Sequence, residues 1–192
     1  MDMSLVLNDE QLAHFDIEHV NRRYWTKCRE CIEWDFPDGE FSILDVGGGN
    51  GRFVDRVLMT YPKATATVLD LSEMLLGKNV PNPRKKTLLA SATELEKVTG
   101  KYDIVSFNWV LHHLIGATYA QSVANIRDAL RSAQKLLTSR GHISVYDNVC
   151  DGVIFDRAQQ AHLRADVFQA AGETREGRWS EHGRRRRVLP VV

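Results

Sequence analysis

The chain of 192 residues has few cysteines, no excess of either charge and no long apolar run. Its 25 basic residues balance its 25 acidic residues, so the charge does not favour a nucleic-acid or membrane surface as the main partner. No apolar stretch approaches the roughly 20 residues that a membrane-spanning helix needs. The opening residues, MDMSLVLNDEQ, lack the basic start and apolar centre of a secretion signal, so we expect a cytoplasmic protein.

Two of the three cysteines, Cys28 and Cys31, form a C-x-x-C pair, a spacing found in redox and zinc sites. Together with Tyr24, Trp25 and Ile32 they also recur at the spacing of one helix face. No second C-x-x-C or paired histidine completes a tetrahedral zinc site. We therefore interpret the two thiols as buried helix residues and expect no metal there.

Strand-like and helical segments alternate along the chain. A helix is predicted over residues 10–35, and later helical spacing occurs at 53–58 and 123–137. Five strand-like runs lie at 41–46, 65–70, 87–90, 102–107 and 142–147. The runs are apolar throughout, as expected when both faces of a sheet are covered. This alternation predicts an α/β fold with a doubly wound, mainly parallel sheet and helices on both faces.

Three regions follow from this pattern. Residues 1–40 form an N-terminal helical segment, residues 41–171 form the main domain, and residues 172–192 are rich in glycine and arginine. The last region has almost no apolar period, so we expect a mobile tail. Its four arginines at 184–187 could touch RNA or an acidic partner, but we interpret them as part of a solvated tail.

The stretch ILDVGGGNGRF, residues 43–53, is the strongest local signal. Gly47, Gly49 and Gly51 lie between a buried strand and a helix that continues from Arg52. Glycine is needed where φ is positive or where a ligand approaches the main chain. The first turn of a doubly wound sheet lies at the edge where such folds bind ligands. The turn therefore predicts a nucleotide-type site, although the fourth glycine, Gly48, has no assigned role.

The register of the glycines disfavours a phosphate ligand. The dinucleotide pattern G-x-G-x-x-G requires glycine at position 52 or 54, where Arg52 and Val54 stand. No G-K-[ST] sequence follows, so a phosphate loop is also disfavoured. Asp45, at the end of the strand, would repel a phosphate and suits a ligand with an ammonium group. Asp45 could instead simply cap the turn.

The pattern D-x-G-x-G-x-G resembles the first motif of the class I S-adenosylmethionine-dependent methyltransferases, which have a Rossmann-like fold. The resemblance extends over roughly residues 41–150. It implies that S-adenosylmethionine is the cofactor and that the first turn contributes binding residues: Asp45, Gly47, Gly49, Asn50 and Gly51.

Later stretches extend the resemblance. Asp70, followed by Leu71, ends the next strand, where the family places an acid that binds both ribose hydroxyls; the residue could instead cap a short helix over 72–76. In ASATEL, Ser91 replaces the aspartate that usually contacts adenine, which leaves adenine to the Ser91 hydroxyl and the backbone around Ala92. KYDIVSFNWVLHHL resembles the fourth-strand motif. This match implies that two residues line the methionine part of the cofactor, Asn108 and Trp109.

His112 and His113 follow the fourth strand, where the methyl acceptor is expected. Either would be a general base if the acceptor must lose a proton, although neighbouring histidines are often packing residues. Tyr146 and Asp147 end the fifth strand nearby. Asp147-Asn148 matches half of the magnesium site of catechol-type enzymes, but Asn108 replaces the other carboxylate, so we expect no metal.

The motifs of several macromolecule methyltransferases are absent: [DNS]PP[YFW], a Pro-Cys pair and a paired-glutamate loop. A small-molecule acceptor is therefore expected, and nucleic acid is disfavoured. The family's sheet normally ends with two more strands, the last one antiparallel. Here residues 156–171 are predicted to be helical, and only 187–192 resembles a strand, interrupted by Pro190. Either the sheet lacks its last strands or a partner, such as a second copy in a homodimer, covers its edge.

Two further functions stay open. A non-catalytic cofactor-binding subunit would fit the Ser91 replacement and the shortened sheet. A dinucleotide oxidoreductase would fit the fold but not the glycine register.

Overall fold

A computed structural model describes residues 22–151 and 157–166, with side chains described for residues 22–147. The elements in chain order are α1 (Arg22–Asp35), β1 (Ser42–Val46), α2 (Arg52–Thr60), β2 (Thr65–Asp70), α3 (Glu73–Leu76), β3 (Lys85–Leu89), β4 (Tyr102–Asn108), α4 (Tyr119–Lys135), β5 (Leu137–Asp151) and β6 (Arg157–Asp166). Single 3₁₀ turns at Leu95–Lys97 and Leu111–His113 follow β3 and β4. In the described part of the chain, no helix is both long and apolar enough to span a membrane.

The strands form one sheet in the order β3-β2-β1-β4-β5-β6. Strands β1 to β5 are parallel, and β6 runs antiparallel to β5. The predicted α/β, doubly wound and mainly parallel sheet is therefore confirmed. The chain order reverses between β1 and β4, which is where such sheets open a crevice at their carboxyl ends.

Strand β6 corrects one prediction. The sequence predicts a helix over residues 156–171, but Arg157–Asp166 pairs with β5 from Asp151↔Arg157 to His142↔Asp166. The open edge of β5 offers a row of backbone donors and acceptors, and pairing with it outweighs a local helical preference. An antiparallel strand thus covers this edge, while 187–192 and the predicted tail lie outside the described residues. The homodimer stays a prediction.

The ends of two other elements differ from the predicted ones. Helix α4 begins after Thr118, whose side chain accepts a hydrogen bond from the Gln121 N–H, rather than at residue 123. It ends before Leu137, which pairs with Tyr102 as the first residue of β5. At the far edge of the sheet, β3 exposes Lys86 and Leu89, so the prediction of strands covered on both faces is wrong there.

Two apolar clusters cover the two faces of the sheet. Successive residues of β1 point to opposite faces, so Ile43 joins one cluster and Leu44 the other. Helix α1 packs on the first cluster through a buried face that includes both predicted thiols, Cys28 and Cys31. Burial raises the pKa of the Cys28 thiol to about 12, so this sulfur stays protonated and acts as a packing group.

Candidate active site

The turn after β1 has the left-handed backbone that its glycines predict. The φ angles of Gly47, Gly49 and Gly51 are 69°, 52° and 75°. A Cβ at Gly47 would overlap the Val110 side chain, so this glycine is also required by close packing. A Cβ at Gly49 would make only ordinary contacts, the nearest at 3.6 Å and 3.8 Å, which leaves this part of the turn open.

Gly48, which had no assigned role, lies directly over Asp45. A Cβ there would come within 2.6 Å of Asp45 Oδ2 and 2.9 Å of Val68 Cγ1. Such distances are too short for any side chain, so the fourth glycine is explained by the buried carboxylate beneath it. The amides of Gly47 and Gly48 both donate to the Leu69 carbonyl, at 2.7 Å and 3.1 Å, which ties the turn to β2.

Asp70 joins the glycine turn to the start of α3. Its Oδ2 accepts a hydrogen bond from the Gly49 N–H at 2.8 Å, and its Oδ1 accepts one from the Ser72 N–H at 2.8 Å. The carboxylate is half-buried, and burial raises its pKa although these bonds oppose the shift. The N-cap of α3 is Ser72, whose hydroxyl accepts from Leu75 N–H. The adjacent Leu71 side chain is 57% exposed.

Asp45 lies beneath the turn and is 1% exposed. Its Oδ1 accepts hydrogen bonds from Ser106 Oγ at 2.7 Å and from Asn108 Nδ2 at 3.0 Å. Burial raises the pKa of Asp45 to about 7, while the bonds from Ser106 and Asn108 act in the opposite direction. The structure therefore connects the end of β1 to the end of β4 through this carboxylate.

Three predicted cofactor residues make local contacts. Asn50 is buried, and its Oδ1 accepts from the Arg52 N–H at 3.2 Å at the start of α2. The Ser91 hydroxyl pairs with Thr93 Oγ1 at 2.8 Å, which closes the turn after β3. Ala92 packs against the apolar cluster on the α4 face. Their roles toward a cofactor stay predictions.

His112 and Asp147 form a close pair at the ends of β4 and β5. His112 Nδ1 lies 2.6 Å from Asp147 Oδ1, and the Leu111 N–H donates to Asp147 Oδ2 at 2.7 Å. Asp147 is 5% exposed, whereas the His112 side chain is 34% exposed. A buried carboxylate that holds an accessible imidazole can orient it for proton transfer.

His113 and Trp109 flank this pair. The His112 and His113 rings lie 4.0 Å apart between centroids, and partial burial lowers the pKa of His113. Trp109 has a φ of 58°, a strained conformation for a residue other than glycine. The backbone N–H of Trp109 donates to the Tyr146 carbonyl at 2.7 Å, and the indole ring meets the rings of Tyr146 and His112 edge to face.

Three residues at this edge were not predicted as site residues. The Tyr24 hydroxyl of α1 donates to Asn108 Oδ1 at 2.8 Å, Ser106 contacts Asp45, and Asn79 Nδ2 donates to the Gly49 carbonyl at 2.8 Å. A polar residue inside the apolar run YDIVSF was a signal for Ser106. Tyr24 and Asn79 had no such signal, because their partners are distant in the chain. Among the side chains at 22–147, no group of three His, Cys, Asp or Glu residues could hold a metal ion.

The chain is similar to known methyltransferases in sequence and in fold. A family model described as a methyltransferase domain matches residues 44–143, just over half of the chain. A ubiquinone/menaquinone biosynthesis C-methyltransferase, UbiE of Dinoroseobacter shibae, is 28% identical over 123 residues, covering 60% of this chain and 46% of the relative. The malonyl-[acyl-carrier protein] O-methyltransferase of Halalkalibacterium halodurans is 29% identical over 133 residues, covering 64% and 48%.

A solved structure supports the fold independently. The plantazolicin methyltransferase BpumL, in complex with a pentazolic desmethylPZN analog and SAH, matches with a TM-score of 0.58 and 17% identity. The match covers 72% of this chain and 52% of that protein, so this chain spans about half the length of these three relatives. The family model covers the glycine turn, Asp70 and the histidine turn in one span, which confirms the resemblance. The chain belongs to the methyltransferase-domain family.

Proposed function

We propose that this domain binds S-adenosylmethionine at the turn after β1 and transfers its methyl group to a hydroxyl of a small molecule. The observation that carries the proposal is Asp70, a half-buried carboxylate held toward the open part of the glycine turn. Asp70 Oδ2 accepts from the Gly49 N–H and Oδ1 from the Ser72 N–H, and the two oxygens of a carboxylate together offer about four acceptor sites. The carboxylate can therefore accept both hydroxyl protons of a ribose.

The surroundings of Asp70 fit the rest of this cofactor. Leu71, 57% exposed, offers an apolar surface beside the ribose position for an adenine ring. At the other end of the turn, Asp45 lies beneath Gly48, which favours a cationic group above it. When bound, the cofactor supplies a methyl group activated by a sulfonium.

His112 is suited to take a proton from the acceptor. Because Asp147 accepts from Nδ1, the neutral imidazole carries its proton there and keeps a lone pair on Nε2. The Leu111 N–H donates to Asp147 and holds the carboxylate in place, and the carboxylate in turn fixes the orientation of the His112 imidazole. A base is needed only when the acceptor must lose a proton, which favours a hydroxyl over a carboxylate.

The acceptor is proposed to be small and partly apolar. Ile115 and Tyr119, which follow the histidine turn in the chain, are 63% and 86% exposed and offer apolar surface. The motifs of nucleic-acid and arginine methyltransferases are absent from this sequence. The names of the relatives include both C- and O-methyltransferases, and the His112–Asp147 pair favours the second chemistry.

Calorimetry with S-adenosylhomocysteine and methyl transfer to a panel of phenols, alcohols, carboxylic acids and amines test the proposal. H112A should lower kcat by roughly a hundredfold or more, because it removes the base, and leave the affinity for S-adenosylhomocysteine unchanged. D147N should lower kcat by roughly tenfold, because the imidazole loses its charged partner.

H113A is the comparison variant for this experiment. If H113A lost kcat and H112A did not, His113 would be the base and the assignment would be reversed. Absence of cofactor binding would contradict the proposed function. Binding without transfer to any acceptor would favour a non-catalytic cofactor-binding subunit.

A further inference from the structure

Helix α1 lies before residues 44–143, the span matched by the family model, yet one of its side chains reaches the candidate site. The Tyr24 hydroxyl donates to Asn108 Oδ1 at 2.8 Å. Asn108 Nδ2 in turn donates to Asp45 Oδ1 at 3.0 Å. The three residues form a continuous chain of hydrogen bonds from α1 to the carboxylate beneath the glycine turn.

The direction of these bonds determines how the Asn108 amide is oriented. The amide nitrogen faces Asp45 and donates to Oδ1, the direction that the ionised form of the carboxylate requires because that form only accepts. The amide oxygen then faces Tyr24, whose hydroxyl donates to it. With the Tyr24 hydroxyl removed, the amide oxygen would lose its hydrogen bond, and of these two partners only Asp45 would still hold the amide. Tyr24 thus favours the one orientation that donates to Asp45.

The Tyr24 ring is held in place by packing. It is 4% exposed and stacks on Tyr146, with ring centroids 3.9 Å apart and an interplanar angle of 10°. Tyr146 is the register partner of Asn108 across β4 and β5, and its carbonyl accepts from the Trp109 N–H. Ser144 and Cys28 also lie beside the Tyr24 hydroxyl. The aromatic stack therefore presents the hydroxyl to Asn108 at little entropic cost.

From this geometry we infer that α1 contributes to cofactor binding, with Tyr24 as a positioning residue that holds the Asn108 amide toward Asp45. The inference rests on the proposed cofactor binding, since Asn108 and Asp45 lie at its methionine end. Tyr24 acts through Asn108. Loss of its hydroxyl should therefore weaken cofactor binding without removing any apolar packing.

Y24F tests this inference, because it deletes the hydroxyl and retains the stacked ring. Calorimetry should give three- to tenfold weaker binding of S-adenosylhomocysteine, about the worth of one hydrogen bond. The matched control is Y102F at the start of β4, where the hydroxyl makes a long contact of 3.4 Å to Thr67 Oγ1. Y102F should bind within about twofold of the unmodified chain.

A double-mutant cycle separates positioning from a general structural role. If Tyr24 acts through Asn108, Y24F should add less than about a twofold loss of affinity to a chain that already carries N108A. The same loss in both backgrounds would overturn the inference, and so would wild-type affinity of Y24F. If the unmodified chain does not bind S-adenosylhomocysteine at all, the proposed function fails first and the inference fails with it. The two failures are distinguishable by the unmodified chain alone.

Discussion

The two halves of the candidate site are built in different ways. At the ends of β1 and β2, a side chain bonds to backbone amides: Asp70 accepts from Gly49, 21 residues earlier, and from Ser72, two residues later. At the ends of β4 and β5, side chains bond to each other over long stretches of chain. His112 and Asp147 are 35 residues apart, Asn108 and Asp45 63, and Tyr24 and Asn108 84.

This difference determines what each half can tolerate. The turn after β1 depends on backbone angles that a Cβ would disturb, so its geometry is encoded in a short motif. The β4–β5 half depends on strand register, since Asn108 lies opposite Tyr146 and Asp45 opposite Ser106. Substitutions in the turn after β1 should disturb folding and cofactor binding together. Substitutions at the ends of β4 and β5 should change mainly the orientation of the site side chains.

The largest effect is expected at Gly47. G47A introduces a Cβ at a φ of 69° that overlaps Val110, and should lower the free energy of unfolding by about 2–4 kcal/mol. Urea denaturation of G47A and of the unmodified chain measures this loss in the free energy of unfolding. G77A is the control, because Gly77 has a φ of −62° and should change stability by less than about 1 kcal/mol.

Val110 gives a second check on the same substitution. If the Cβ overlap is the cause, the loss in G47A/V110A should be smaller than the sum of the two single losses by about 1 kcal/mol or more. Strict additivity would assign the whole effect to the backbone angle. Such a result would show that contact with Val110 does not contribute to the need for glycine at position 47.

A smaller effect is expected at Asp70. D70A should weaken S-adenosylhomocysteine binding by more than about tenfold, since charge-assisted bonds to the ribose hydroxyls are lost. D38A is the matched control: Asp38 also accepts a backbone N–H in a turn, from Glu40, but is exposed and away from the site. An unchanged dissociation constant for D70A would contradict the ribose assignment.

The smallest effect concerns pH and Asp45. Its pKa is raised by burial to about 7, above the ordinary value of 3.8, so folding favours the protonated form. Stability from this group is complete below about pH 4 and is lost as pH rises toward 7. Between pH 6 and pH 8 the unmodified chain should therefore lose about 1 kcal/mol that D45N does not lose.

Urea denaturation of both chains at pH 6 and pH 8 measures this difference, because other titrating groups cancel in the comparison. D45N keeps an oxygen that can accept from Ser106 and Asn108. Equal pH dependence of the two chains would show that the buried carboxylate does not titrate in this range. The carboxylate would then keep a single protonation state across this range.

Much of the fold was predictable because it depends on local patterns. The apolar runs and their alternation with helices predicted five parallel strands, and the glycine turn lies at their carboxyl edge. Strand β6 was not predictable in this way, because its conformation comes from the open edge of β5 rather than from its own sequence. The exposed face of β3 was also not predicted. A strand is exposed when it lies at the edge of the sheet, and that position depends on how the strands are ordered in the tertiary structure.

The candidate site likewise combines features that depend on local sequence with contacts that depend on the tertiary structure. The sequence by itself determined the left-handed turn at Gly47, Gly49 and Gly51 and placed Asp70 at the end of its strand, because backbone angle and strand length are local properties. Only the tertiary structure decided that His112 pairs with Asp147 and that Tyr24 reaches Asn108 from α1. Those contacts depend on strand register and helix packing, which bring together residues that no local pattern connects.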